Sequence, residues 1–152
     1  MRRKRVPLPR GGPKWCRRKR KRVLIANRGE IALRILRACR LLGLETAGIY
    51  SKADADALHL KYVDRKVCVG PASSGESYLN IRNIIGAAEI SGADAVHPGY
   101  GFLAENEEFA RACMENGLVF IGPSPESLVT GHKARAREAM AERQAGQDHP
   151  SQ

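Results

Sequence analysis

Between residues 23 and 122 short apolar segments alternate with amphipathic helical stretches, and the links joining them are only a few residues long. Repeated strand–helix–strand units with such links leave few arrangements open. They predict an α/β fold, a doubly wound parallel sheet with helices on both faces. VLIAN (23–27) reads as the first strand, followed by Arg28-Gly29-Glu30 and a helix over 30–42 that Gly43 ends. Ile31, Ile35, Cys39 and Leu42 share one face of that helix. Arg34, Arg37 and Arg40 form another stripe, with Glu30 placed to support Arg34. ETAGIY (45–50) is a second strand, with a short helix over 57–62 after it. Residues 66–69 form a third strand, closed by Gly70-Pro71. A helix over 80–91 buries Ile81, Ile84, Ile85 and Ala88 and stops at Gly92. DAVH (94–97) and LVFIG (118–122) are the fourth and fifth strands, with a helix over 106–116 between them.

At 152 residues the chain has room for one ordinary domain with a real core. Its 43% hydrophobic and 28% charged content fits a globular protein, and no apolar run approaches the roughly 18 residues that span a bilayer. No membrane association is expected. A net charge of +10 would ordinarily point to nucleic acid. However, residues 1–22 hold twelve of the 26 Lys and Arg and no acid, leaving 14 basic residues against 16 acidic ones. The basic character belongs to a tail. With Pro7, Pro9, Gly11, Gly12 and Pro13 in it, residues 1–21 are expected to be a disordered extension. They lack the apolar stretch of a secretory signal and the Ser-rich amphipathic character of a mitochondrial presequence.

Cys16, Cys39, Cys68 and Cys113 form no CxxC pair and have no His at metal-ligand spacing, so no metal site is expected. Reduced thiols in an intracellular, cytoplasmic protein are the plain reading. Cys39, Cys68 and Cys113 fall in apolar patterns and are expected to be small buried hydrophobes. Beyond Gly131, HKARAREAMAER has helical propensity, and QAGQDHPSQ is polar without a period.

Two loops sit where doubly wound folds place ligands, at the C-terminal ends of strands. In Ala26-Asn27-Arg28-Gly29-Glu30 a single glycine does not make a dinucleotide fingerprint. Gly29 may be read as easing a turn and Asn27 as capping the helix or the strand end, or the loop may be read as a ligand loop. The second loop, HPGYGFLAEN (97–106), crowds two glycines, a proline and two aromatic residues before a helix. Its glycines suit a close backbone approach, and Tyr100 offers a ring face and a hydroxyl. The other reading is a tight structural turn with Phe102 and Leu103 tucked into the core.

The runs RVLIANRGEIALRILRACRLLGLETAGIYSKAD, SYLNIRNIIGAAEISGADAVHPGYGFLAENEEFA and GLVFIGPSPESL together resemble the biotin carboxylase family across residues 22–140. The resemblance implies a Rossmann-like N-terminal domain over residues 22–130. Residues 131–152 would begin the linker helix toward an ATP-grasp domain and end in a divergent polar tail. It also implies a ligase that uses ATP, bicarbonate and Mg to carboxylate biotin on a carrier protein, working with a carboxyltransferase. Acetyl-CoA carboxylase of fatty acid biosynthesis is one such system. By the same resemblance Tyr100 and Gly101 face biotin, and Lys133 of Gly131-His132-Lys133 binds ATP phosphates, where the family usually has Asp at the place of His132. Arg37 matches an arginine of a homodimer contact whose acidic partner falls at Leu41 here.

The family's Gly-rich lid, second nucleotide lysine, metal-binding carboxylates and bicarbonate-activating Arg and Glu match nothing in residues 1–152. No catalytic residue is therefore assigned, and a separate ATP-grasp chain is a further expected partner. The competing reading is a non-catalytic binding module whose basic arm recruits nucleic acid or a protein. That reading predicts binding with a steep salt slope that disappears when residues 1–22 are removed. A salt-titrated binding assay on the two chain lengths separates the readings, and the carboxylase reading predicts no difference between them.

Overall fold

The computed structural model describes residues 21–131. In chain order the elements are β1 (Arg22–Ile25), α1 (Gly29–Leu41), β2 (Glu45–Ser51), β3 (Arg65–Gly70), α2 (Ile81–Ser91), β4 (Ala95–His97), α3 (Glu107–Glu115), β5 (Val119–Phe120) and α4 (Pro125–Gly131). Single 3₁₀ turns lie at Lys52–Asp54, Leu58–Lys61 and Ser74–Glu76. The five strands form one parallel sheet in the order β3-β2-β1-β4-β5. This is the doubly wound α/β fold expected from the sequence.

Side chains of successive strand residues point to opposite faces, and in β1 both faces are buried. Val23 and Ile25, with Ala95 of β4, pack against Ala32, Ile35, Leu36 and Cys39 of α1. Leu24, with Ala47, Ile49 and Val96, faces Ile84, Ile85 and Ala88 of α2 and Phe109 and Cys113 of α3. The helical face of α1 differs from the expected one at its end. Leu42 stands outside the helix and is 49% exposed. Gly43 (φ +70°) turns the chain left-handed there, with its N–H bonded to Arg40 O (3.1 Å) and Leu44 N–H to Cys39 O (2.9 Å). The same pair of bonds closes α2 and α3. Each helix is thus delivered within two or three residues to the strand that follows it.

The start of β1 is held by charge. Lys21 pairs with Asp94 (3.3 Å), whose other oxygen accepts from the Arg22 N–H (3.0 Å). The Arg22 guanidinium bonds Glu45 and the Ser91 carbonyl. The last two basic residues of the 1–22 run are therefore used inside the fold.

Helix α4 has no counterpart in the pattern reading. Its start is nonetheless written in Ser124-Pro125: the Ser124 hydroxyl accepts from Ser127 N–H (3.3 Å), and proline suits the first helical position. The apolar period there is too short to register. The proposed helix beyond His132, the extension before Lys21, and Cys16 all lie outside the described residues.

Cys39 and Cys113 are buried as expected, but Cys68 is exposed. It lies on the edge strand β3, where Val67 and Val69 turn toward α2 while Lys66 and Cys68 face solvent. Burial pushes the Cys39 thiol up to about 11 and the Cys113 thiol up to about 12. A maleimide reagent on the native protein should therefore label Cys68 and spare Cys39 and Cys113 until denaturant is added, as peptide mapping would show. Unfolding lets both buried thiols ionise from their ordinary value of 9.0. The fold should thus keep their contribution below that pH and lose stability as pH rises above it, in denaturation midpoints measured from pH 8 upward.

Candidate functional site

β1 leads through α1 to β2 on one side, and β4 leads through α3 to β5 on the other. Between the C-terminal ends of β1 and β4 the two connections diverge to opposite faces. Open α/β sheets leave a crevice at such a switch point. Ile25 and His97 are level across the two strands, so the loops 26–28 and 98–106 leave the same edge side by side.

Asn27 joins these loops. It is 1% exposed, and its Nδ2 donates to the carbonyls of Pro98 (2.8 Å) and Tyr100 (2.9 Å), while Oδ1 accepts from Arg28 N–H (2.8 Å). Two carbonyls on one side and an N–H on the other allow only one orientation of the carboxamide. Asn27 is not a helix cap: Arg28 occupies that position in α1 with no side-chain cap bond. Gly99 (φ +70°) lies so close to the start of α1 that a Cβ would stand 2.6 Å from Ile31 Cγ2 and 3.0 Å from Asn27 Nδ2. Its N–H bonds His97 Nδ1 (3.1 Å), which leaves the neutral ring's proton on Nε2. Burial holds the His97 pKa below its ordinary value and so favours that neutral form.

The rest of the second loop divides between structure and exposure. Leu103 and Ala104 are buried, and Asn106 Oδ1 caps α3 by accepting from Phe109 N–H (2.8 Å). Phe102 is half-buried at φ +42°, a strained region for a side-chain-bearing residue that costs about 1–3 kcal/mol. Its ring stacks on Tyr78 with centroids 5.1 Å apart and an 18° interplanar angle. The Arg28 guanidinium covers both rings, 5.3 Å from Tyr78 and 5.6 Å from Phe102. One oxygen of Asp54 accepts from the Tyr78 hydroxyl (2.6 Å), the Ser51 hydroxyl (3.0 Å) and Arg28 (3.3 Å). The Tyr78 bond, ahead of those from Ser51 and Arg28, holds the Asp54 carboxyl below its ordinary value. Burial, then the bond to Asp54, pushes Tyr78 up to about 12, so it remains a donor at neutral pH.

Facing solvent are Tyr100, 70% exposed, Gly101, where an added Cβ would meet nothing within 4 Å, and Glu105 just before the α3 cap. Phe102 is half-buried and Leu103 buried, as the structural-turn reading expects, while Tyr100 and Gly101 are exposed. Arg37 is exposed on α1, two turns from the loop. Lys133 and His132 lie outside the described residues. The sequence does not announce Ser51, Asp54 and Tyr78, because no local spacing signals that Asp54 meets Tyr78 and Arg28, 24 and 26 positions away. A concavity lined by Met114, Leu118, Phe120 and Pro123 lies at edge strand β5, not at the switch point.

The sequence profile of the biotin carboxylase N-terminal domain matches residues 19–128. The chain belongs to this family. Biotin carboxylase 1 of Bacillus subtilis is 55% identical over 127 residues, which are 83% of this chain and 28% of the relative. Biotin carboxylase of Pseudomonas aeruginosa is 54% identical over 120 residues, 78% of this chain and 27% of the relative. The crystal structure of a Campylobacter jejuni biotin carboxylase–β,γ-ATP complex superposes with a TM-score of 0.74 at 52% identity, covering 80% of this chain and 28% of that one. The chain thus spans about a quarter of the length of the curated biotin carboxylases it matches.

The loop geometry yields two stability predictions. Asn27→Asp keeps the shape but turns an acceptor toward the Pro98 and Tyr100 carbonyls, and should cost about 1–3 kcal/mol in chemical denaturation. Asn106→Ala should cost about 1 kcal/mol through the lost cap. Tyr100→Ala, at an exposed position, should stay within about 0.5 kcal/mol in the same experiment.

Proposed function

We propose that this chain supplies one wall of a biotin-carboxylating active site, with Tyr100 and Gly101 turned toward the biotin ring. The observation that carries this reading is an exposed phenol and an open glycine at a switch point whose two loops are crosslinked by Asn27 and anchored beyond them by Leu103, Ala104 and Asn106. Biotin is a flat, partly apolar bicycle with a ureido carbonyl. An aromatic face packs against such a ring, and a hydroxyl or backbone N–H donates to its carbonyl. Gly101 leaves room for the ring to approach the backbone. Residues 22–130 make up this wall in the proposal.

ATP and Mg belong to the remainder of the reaction. Among the described residues no three His, Cys, Asp or Glu converge to hold a metal. In this reading metal-assisted phosphoryl transfer belongs to an ATP-grasp domain, with Lys133 adding a charge-assisted contact to the phosphates. A biotin carrier protein and a carboxyltransferase are the partners in this reading, and the cytoplasm is its compartment. Arg37 is the proposed contact with a second copy. The residue at the family's acidic position, Leu41, is 72% exposed and would add apolar area there in place of an ion pair.

The test is a graft of residues 22–128 into Bacillus subtilis biotin carboxylase 1 in place of the matching segment. It should carboxylate biotin in the presence of ATP and bicarbonate. Tyr100→Ala in the graft should raise the KM for biotin about tenfold with little change in the KM for ATP. An unchanged biotin KM would remove Tyr100 from the site. The 152-residue chain alone should show no bicarbonate-dependent ATP hydrolysis, and measurable hydrolysis would contradict the division between domains.

A further inference from the structure

We propose that Asp54, Arg28 and Tyr78 form a clamp on Phe102 that positions the Tyr100–Gly101 loop, an inference that rests on that loop being the biotin side of the site. They are positioning residues: they act through Phe102 and do not touch the substrate. Tyr100 is 70% exposed, so its placement depends on the backbone on either side. On the N-terminal side Asn27 holds the Pro98 and Tyr100 carbonyls. On the C-terminal side the chain passes through Phe102, which among the described residues is the one non-glycine with positive φ.

Rotation about φ of Phe102 turns the chain before it relative to the chain after it. The chain after it is anchored, because Leu103 and Ala104 are buried and Asn106 caps α3. Relaxation of Phe102 to negative φ would therefore move Gly101 and Tyr100. The tethering interactions on Phe102 are those of its ring, stacked on Tyr78 and covered by Arg28. Arg28 is about half exposed and would be free to swing into solvent without its ion pair. Asp54 prevents this. Through one oxygen it holds the guanidinium from the β1 loop and the phenol that precedes α2, and its own position is set by Ser51 at the end of β2. The Ser51 N–H in turn donates to the Tyr78 hydroxyl (3.1 Å), closing the network onto the sheet. Three connections that are distant in sequence thus converge on the one strained residue beside the exposed pair. Strain of this kind persists only where its surroundings over-determine it.

The readout is hydrogen exchange at the Ala104 amide, whose bond to Gly101 O (2.9 Å) closes the turn around Phe102. In the 152-residue chain, Asp54→Asn, Arg28→Met and Tyr78→Phe should each speed that exchange about tenfold or more. Amides of Leu24 and Val96 in the central strands should be unchanged, which shows that each variant is folded. Tyr78→Phe keeps the stacked ring and the local charge and removes only the hydroxyl, with its bonds to Asp54 and to the Ser51 N–H, so it serves where the charge variants disturb folding. In the grafted carboxylase the same variants should raise the KM for biotin severalfold with the KM for ATP held, and Arg28→Lys should recover part of the loss. Unchanged Ala104 exchange in all three variants overturns the clamp. Faster exchange with an unchanged biotin KM overturns its positioning role. Failure of the underlying reading shows separately, as an unchanged biotin KM for Tyr100→Ala.

Discussion

The side chain of Asn27 is the interaction on which the site depends. A buried carboxamide must find partners for its donors and its acceptor or lose their hydration without return. Here all three partners are backbone groups, one on its own loop and two on the loop that follows β4. The bonds cross the point where the chain's connections diverge to opposite faces of the sheet, where no helix covers the strand ends. Without that crosslink the two loops would be joined by one ladder bond, from Ala26 N–H to His97 O, and by the Arg28 guanidinium over the Phe102 ring. The tight seat of Gly99, its N–H on His97 Nδ1, is what lets the second loop come within reach of the amide.

The second loop then divides its labour. Its hydrophobic and capping residues fix it to the core and to α3, and its strain is concentrated at Phe102. Tyr100 and Gly101, between the two anchored stretches, are released to the surface. Natural chains break local rules at functional sites and stabilise the breach with neighbouring contacts. The aromatic pair under Arg28, held by Asp54, is that kind of support. The wall proposed for this domain is accordingly a platform held by these contacts, with Tyr100 and Gly101 presented on it.

Much of this was legible in the sequence. The switch of period from 2 to 3.6, punctuated by Gly43 and Gly92, marked the strands and helices, and the place of HPGYGFLAEN after a strand put that loop at the end of β4 where the structure has it. The exceptions have physical causes. Alternation says which residues of β3 share a face, but the strand's position at the sheet edge is a tertiary fact, and Cys68 is exposed because of it. The seven-residue helix α4 is shorter than two full turns of apolar period, so only its capping residues announce it. The network of Asp54, Tyr78 and Arg28 joins residues with no fixed spacing between them. Asn27 was noticed, but as a cap, since sequence shows a side chain's capacity for hydrogen bonds and not their direction.

The central claim is that substrate meets this domain at the pair presented by the tied loops. It is tested most directly by photoaffinity labelling of the grafted carboxylase with a diazirine-bearing biotin, followed by peptide mapping. The account predicts ATP- and bicarbonate-compatible labelling within residues 98–102 that excess biotin suppresses. Suppressible labelling in residues 114–125, at the concavity beside β5, with none in the loop, would contradict it.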